Sequence, residues 1–149
     1  MRRIQDQSFK CGTQEVTGLA EKVREMAHPL RGTEDLDPLL DRIGHTRCVL
    51  LGEASHGTSE YYTWRARISE RLIREKGSSF IGAEGDRPDC YEVNRYAKGY
   101  PDSGTSAREV LETFDRWPAW MWANEEIVEL SEWLRRPNDG LPGRERVGF

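Results

Sequence analysis

Four side chains in this sequence have the types that acid–base chemistry needs: Glu53, His56, Arg65 and Glu84. Glu53 and His56 stand three residues apart in Leu50-Leu51-Gly52-Glu53-Ala54-Ser55-His56-Gly57-Thr58, where an apolar run ends in a carboxylate. Burying a charge without a partner costs several kcal/mol or more, so the placement calls for a compensating gain. An imidazole with an ordinary pKa near ~6.5 acts as a base around neutral pH, and an adjacent carboxylate orients its ring. Two carboxylates, one imidazole and one guanidinium gathered in a cleft can activate water or a small nucleophile for acyl transfer.

These groups are spread along the chain, so regular elements must collect them. Arg47–Leu51 and Phe80–Ala83 are short apolar runs between turn signals, and Ser59–Lys76 between them is rich in helix formers and closed by Gly77. Strand, helix, strand at this spacing predicts a βαβ unit with parallel strands and a right-handed crossover. Leu50-Leu51-Gly52-Glu53 and Ile81-Gly82-Ala83-Glu84 then end on one carboxyl edge, where open α/β sheets bind ligands. Positions 61, 65, 68 and 72 share a helical face, which turns Arg65 inward beside Tyr61, Trp64, Ile68 and Leu72 and demands an anionic partner for it. Gly52 and Gly57 allow the tight turn that presents His56.

The expected fold class is therefore α/β, a mainly parallel sheet flanked by helices. Further helices are expected at Thr13 to Met26, Asp37 to Ile43, Asp89 to Lys98, from Ser106 with Glu109 as a capping box, and from Asn124 to Arg135. Pro137-Asn138-Asp139-Gly140 reads as a turn. Residues 1–12 show no period and read as a disordered N-terminus, with 13–149 as the N-terminal part of one domain. Arg146-Val147-Gly148-Phe149 looks like the first half of another buried strand, so the sheet is expected to be incomplete and the chain truncated.

At 149 residues with 36% hydrophobic and 32% charged side chains, the chain has a modest core and a heavily solvated surface. The net charge of -4 and the lack of a long Lys/Arg block argue against a nucleic-acid partner. No signal-peptide pattern and no apolar run of ~18 residues is present, so a membrane partner is not expected and a cytoplasmic location is. Cys11, Cys48 and Cys90 lack metal or disulfide spacing and read as reduced thiols, the last two in the core. His28 and His45 read as helix-end or surface groups, and Asp86 as a helix cap. Trp117-Pro118-Ala119-Trp120-Met121-Trp122 reads first as packing, with Trp120 and Trp122 as a possible wall for an apolar substrate.

Each residue also has a plain role open to it: Glu53 as a cap or salt bridge, His56 as a loop histidine, Arg65 as an outward-reaching surface group. Their convergence is what favours chemistry. Glu53-Ala54-Ser55-His56-Gly57 lacks the first glycine of a G-x-S-x-G elbow, which argues against Ser55 as nucleophile. Glu53 and His56 could ligate zinc only with help from elsewhere.

The stretches LLGEASHGTSEYYTWRARISERLIREKGSSFIGAEGDRPDCYEVNRY and FDRWPAWMWANEEIVELSEWLR resemble the erythromycin esterase family, through G-E-x-S-H-G-T followed by A-E-x-D-x-P-D. The likeness runs from about Arg47 to Phe149 and is weaker over 1–46. It implies a hydrolase that needs no metal or cofactor, in which histidine-activated water opens an ester or a macrolide lactone, and so a role in macrolide resistance. Carried over, His56 is the base, Glu53 its partner, and Arg65 and Glu84 charged site residues. Gly85 and Arg87 depart from the alanine and aromatic expected in many relatives, and family members are longer, with a further histidine from a later region. The alternative is a truncated, non-catalytic fragment or a small-molecule binding module that keeps the charged edge.

Overall fold

Local signals dominate where helices form. In the computed structural model, which describes residues 13–116 and 118–149, six α-helices follow one another: α1 Thr13–Met26, α2 Asp37–Ile43, α3 Ser59–Lys76, α4 Arg87–Ala97, α5 Ala107–Glu112 and α6 Glu125–Asn138. Gly77 ends α3 in the left-handed conformation that favours glycine (φ 73°), its N–H bonded to the Leu72 carbonyl. At α5 the Ser106 hydroxyl accepts the Glu109 N–H at 3.2 Å, and at α6 the Asn124 side chain accepts the Ile127 N–H at 3.0 Å. Glu125 and Glu126 in the first turn of α6, with Arg135 and Arg136 in its last, complement the helix dipole as expected.

The chain divides into two units, Met1–Asp37 and Pro38–Phe149. Within the first, the expected α1 is present, and Asp35 accepts backbone N–H bonds from Arg31 at 2.7 Å and Gly32 at 3.0 Å. Those bonds hold the Asp35 carboxyl below the usual carboxylate range. Residues 1–12, including Cys11 and the expected disordered terminus, lie outside the described residues, as does Trp117.

The second unit has a core of α3, α4, α5 and α6, centred on Val93, Ala97, Ala107, Leu130 and Leu134. It is mainly helical, which overturns the expected α/β fold. Among the described residues the one β contact is a parallel bridge between Phe80 and Gly148, made by Ile81 N–H to Gly148 O and Gly148 N–H to Ser79 O, both 2.9 Å. Arg47–Leu51 forms no strand, and with Leu50 91% exposed and Cys48 exposed the run is not the buried one its composition suggested. The physical reason is that strand formation is non-local: apolar residues become a strand only when a neighbouring backbone accepts their hydrogen bonds. Among the described residues, no backbone hydrogen bond joins residues 47–51 to a neighbouring segment. Cys90 does pack against the core.

Two further expectations change. The helix α6 runs through Pro137 to Asn138 instead of breaking into a turn. Asn138 is buried and clamps three segments: its amide donates to the Ala97 carbonyl at 2.8 Å and the Val147 carbonyl at 3.0 Å, while its oxygen accepts the Val147 N–H at 2.7 Å. On α3 it is Tyr62, not Tyr61, that is buried alongside Leu72.

Candidate functional site

The loop before α3 supplies the acid–base pair. Gly57 has φ 77°, a conformation open to glycine, and this turns the chain from His56 into the helix. Gly52 needs no such freedom, since only Gly57 of the two has positive φ. The turn brings His56 Nδ1 to 2.5 Å from Glu53 Oε1. A carboxylate only accepts, so Nδ1–H is the donor to Glu53, and in the neutral ring Nε2 keeps its lone pair. The Glu53 side chain is 9% exposed and that of His56 56%, so the acid is buried and the base faces solvent.

A buried carboxylate needs counter-charge, and α3 provides it. Arg65, less than two turns into the helix, places Nη2 2.7 Å from Glu53 Oε2. No N–H is aligned well enough to make this a hydrogen bond, so the contact is an ion pair across a short gap. The Arg65 guanidinium lies over the Tyr62 ring, 4.6 Å from its centroid, which fixes it by cation–π attraction. Arg65 does meet Glu53, although no strand leads to it, and Tyr62 is the missed supporting residue. Its signal was a tyrosine three positions before an inward arginine on one helix.

Glu84 is placed differently. It is exposed, and its carboxylate makes no hydrogen bond or ion pair with any described residue. What is held is its backbone: Trp122 Nε1–H donates to the Glu84 carbonyl at 2.8 Å. The indole can come this close because residue 85 is glycine, where a Cβ would lie 3.0 Å from Trp122 Nε1 and 2.5 Å from Cys90 Sγ. Trp122 also packs edge-on against Phe149, with ring centroids 6.2 Å apart. Its indole thus anchors the Glu84 turn, while Trp120 stays half-exposed with its ring 3.1 Å from where a Gly57 side chain would begin. Of the two candidate wall residues, Trp120 is the one beside the His56 turn.

Neighbouring groups complete the frame. Ser59 donates to the Glu126 carboxylate, joining the starts of α3 and α6. Ser55 shares a hydroxyl bond of 2.9 Å with Thr58 and makes none to His56, so no serine–histidine pair forms here. Asp86 stands at the start of α4 without a side-chain capping bond and instead faces Arg116 Nε at 3.3 Å. Among the described residues no three His, Cys, Asp or Glu are grouped to hold a metal ion. No helix among them is long and apolar enough to cross a membrane.

A helical unit that presents a carboxylate-bound imidazole at a helix entrance is equipped for acid–base chemistry. The chain matches the erythromycin esterase family over residues 73–149, more than half its length, and it belongs to that family. The match begins within α3 and takes in Glu84, Trp120 and Trp122, whereas Glu53, His56 and Arg65 precede it. Membership indicates a hydrolase-type function, that of an esterase. No solved structure matches the chain.

Proposed function

We propose that the protein hydrolyses a carboxylic ester, a macrolide lactone among the candidate substrates, with His56 as the general base. The carrying observation is the 2.5 Å contact of Glu53 with His56 Nδ1 on a side chain that is 56% exposed; in the neutral ring so held, Nε2 carries the lone pair. Nε2 takes a proton from water as the oxygen attacks the ester carbonyl carbon. The tetrahedral intermediate then collapses with cleavage of the C–O bond, and the imidazolium returns its proton to the leaving alkoxide. Glu53 holds the tautomer and offsets the imidazolium charge, and Arg65 holds Glu53 in place as its counter-charge. Glu84, on a turn anchored through Trp122, is a further charged group for substrate, and Trp120 offers an apolar face to the acyl or lactone body. Such an activity on macrolides would confer resistance to them.

The test is turnover of an activated ester and of a macrolide by the wild-type chain and by His56→Ala. Loss of a general base lowers kcat by about 100- to 10,000-fold. A folded wild-type chain that turns over neither substrate would favour the second reading, a binding module, to which the unpaired Glu84 carboxylate also lends itself.

A further inference from the structure

Away from this site, the second unit contains a hollow of about 490 Å3 formed by the turn after α2 and the C-terminal end of α3. Three basic side chains line it: His45, Arg47 and Lys76. None of them makes a hydrogen bond or ion pair with a described residue. The carboxylate in the lining, Glu75, is already taken, because Arg71 grips both its oxygens at 2.6 and 2.8 Å. That grip, with smaller contributions from Lys76 and Arg74, holds the Glu75 carboxyl below its ordinary range.

The hollow therefore has two permanent cations and an imidazole in its lining, with hydroxyl donors at Thr46 and Ser78. Cations lining one hollow can both be served by a single anion bound between them. A carboxylate would neutralise one of the two, whereas a phosphomonoester dianion neutralises both and offers enough acceptor oxygens for the surrounding donors. The volume lies within the range of small-molecule sites and exceeds what a bare phosphate fills.

We propose that this hollow binds a small molecule through a dianionic phosphate group. It uses none of the residues of the ester-cleaving site, so the two readings stand or fall separately.

The test is titration of the full chain with glycerol phosphate and with inorganic phosphate at low ionic strength, followed by amide NMR shifts at residues 44–47 and 76–79. Saturable binding is expected, tighter for glycerol phosphate, and weakened about tenfold or more in the Arg47→Gln/Lys76→Gln double variant. Glu75→Gln should tighten it about two- to fivefold by removing the one carboxylate of the lining. All the substituted side chains are exposed, and circular dichroism will verify that each variant is folded. Absence of saturable binding, or equal affinity in the double variant, would overturn the proposal. Inorganic phosphate binding as tightly as glycerol phosphate would overturn the assignment to a phosphorylated small molecule.

Discussion

Arg65→Met is the perturbation that bears most on how the site is held together. It keeps the length and apolar stem of the side chain and removes the charge that faces Glu53 Oε2 at 2.7 Å. Removing one partner of a fully buried ion pair costs about 3–5 kcal/mol, because the other charge is left in a poor solvent. Two features lower that figure here: the Arg65 side chain is 23% exposed, and Glu53 retains His56 on its other oxygen. A cost of about 2–3 kcal/mol is expected, or a melting temperature lower by roughly 4–12 °C for a chain of this size. Urea denaturation of wild type, Arg65→Met, Glu53→Gln and the double variant measures it. The double variant should be less destabilised than the sum of the singles by about 1–3 kcal/mol, the coupling of groups in contact. The exposed pair Arg108–Glu125 is the control, since Arg108→Met should cost under about 1 kcal/mol. Equal costs for the two arginine variants, or additive behaviour of Glu53 and Arg65, would refute the view of Glu53 as a buried charge that Arg65 compensates.

Two other outcomes follow from the fold. Asn138→Ala leaves the Val147 N–H and the Ala97 and Val147 carbonyls without their partner, so urea unfolding should show a loss of about 3 kcal/mol or more, and a loss under about 1 kcal/mol would contradict the clamp. The Tyr96 hydroxyl is pushed up to about 12 by burial and by its bond to Glu132. The folded state then holds this proton more tightly than the unfolded state, so its stabilisation is complete below pH ~10 and is lost as pH rises towards ~12. Wild type should lose stability over that window more steeply than Tyr96→Phe, and parallel profiles would contradict the assignment.

What the sequence made legible is what depends on near neighbours. The ends of α2, α3 and α5 follow from Gly44, Gly77 and Ser106, and the Glu53–His56 contact spans three residues of one turn. What it concealed depends on distant partners. The apolar content of Arg47–Leu51 says that the run favours burial, but not whether another backbone lies beside it, and Leu50 stays in solvent. Glu84 follows the same logic: a matching strand-end pattern predicted a shared rim, yet without a sheet to impose register only its carbonyl is tied, through Trp122. The signals Pro137-Asn138-Asp139-Gly140 are those of a turn, but Asn138 satisfies three backbone groups and the helix extends to reach them. The switch from Tyr61 to Tyr62 shows how a helix phase read from periodicity can miss by one position, here the one on which Arg65 rests.

The proposed chemistry depends on Glu53 fixing the neutral imidazole of His56 with its proton on Nδ1 and its lone pair on Nε2. Heteronuclear NMR of the two ring nitrogens, at a pH where the ring is neutral, reads that distribution directly. A protonated Nδ1 and a bare Nε2 are expected in the wild-type chain, and a mixture of tautomers in Glu53→Ala. A wild-type His56 carrying its proton on Nε2, or showing the same mixture with and without Glu53, would contradict it.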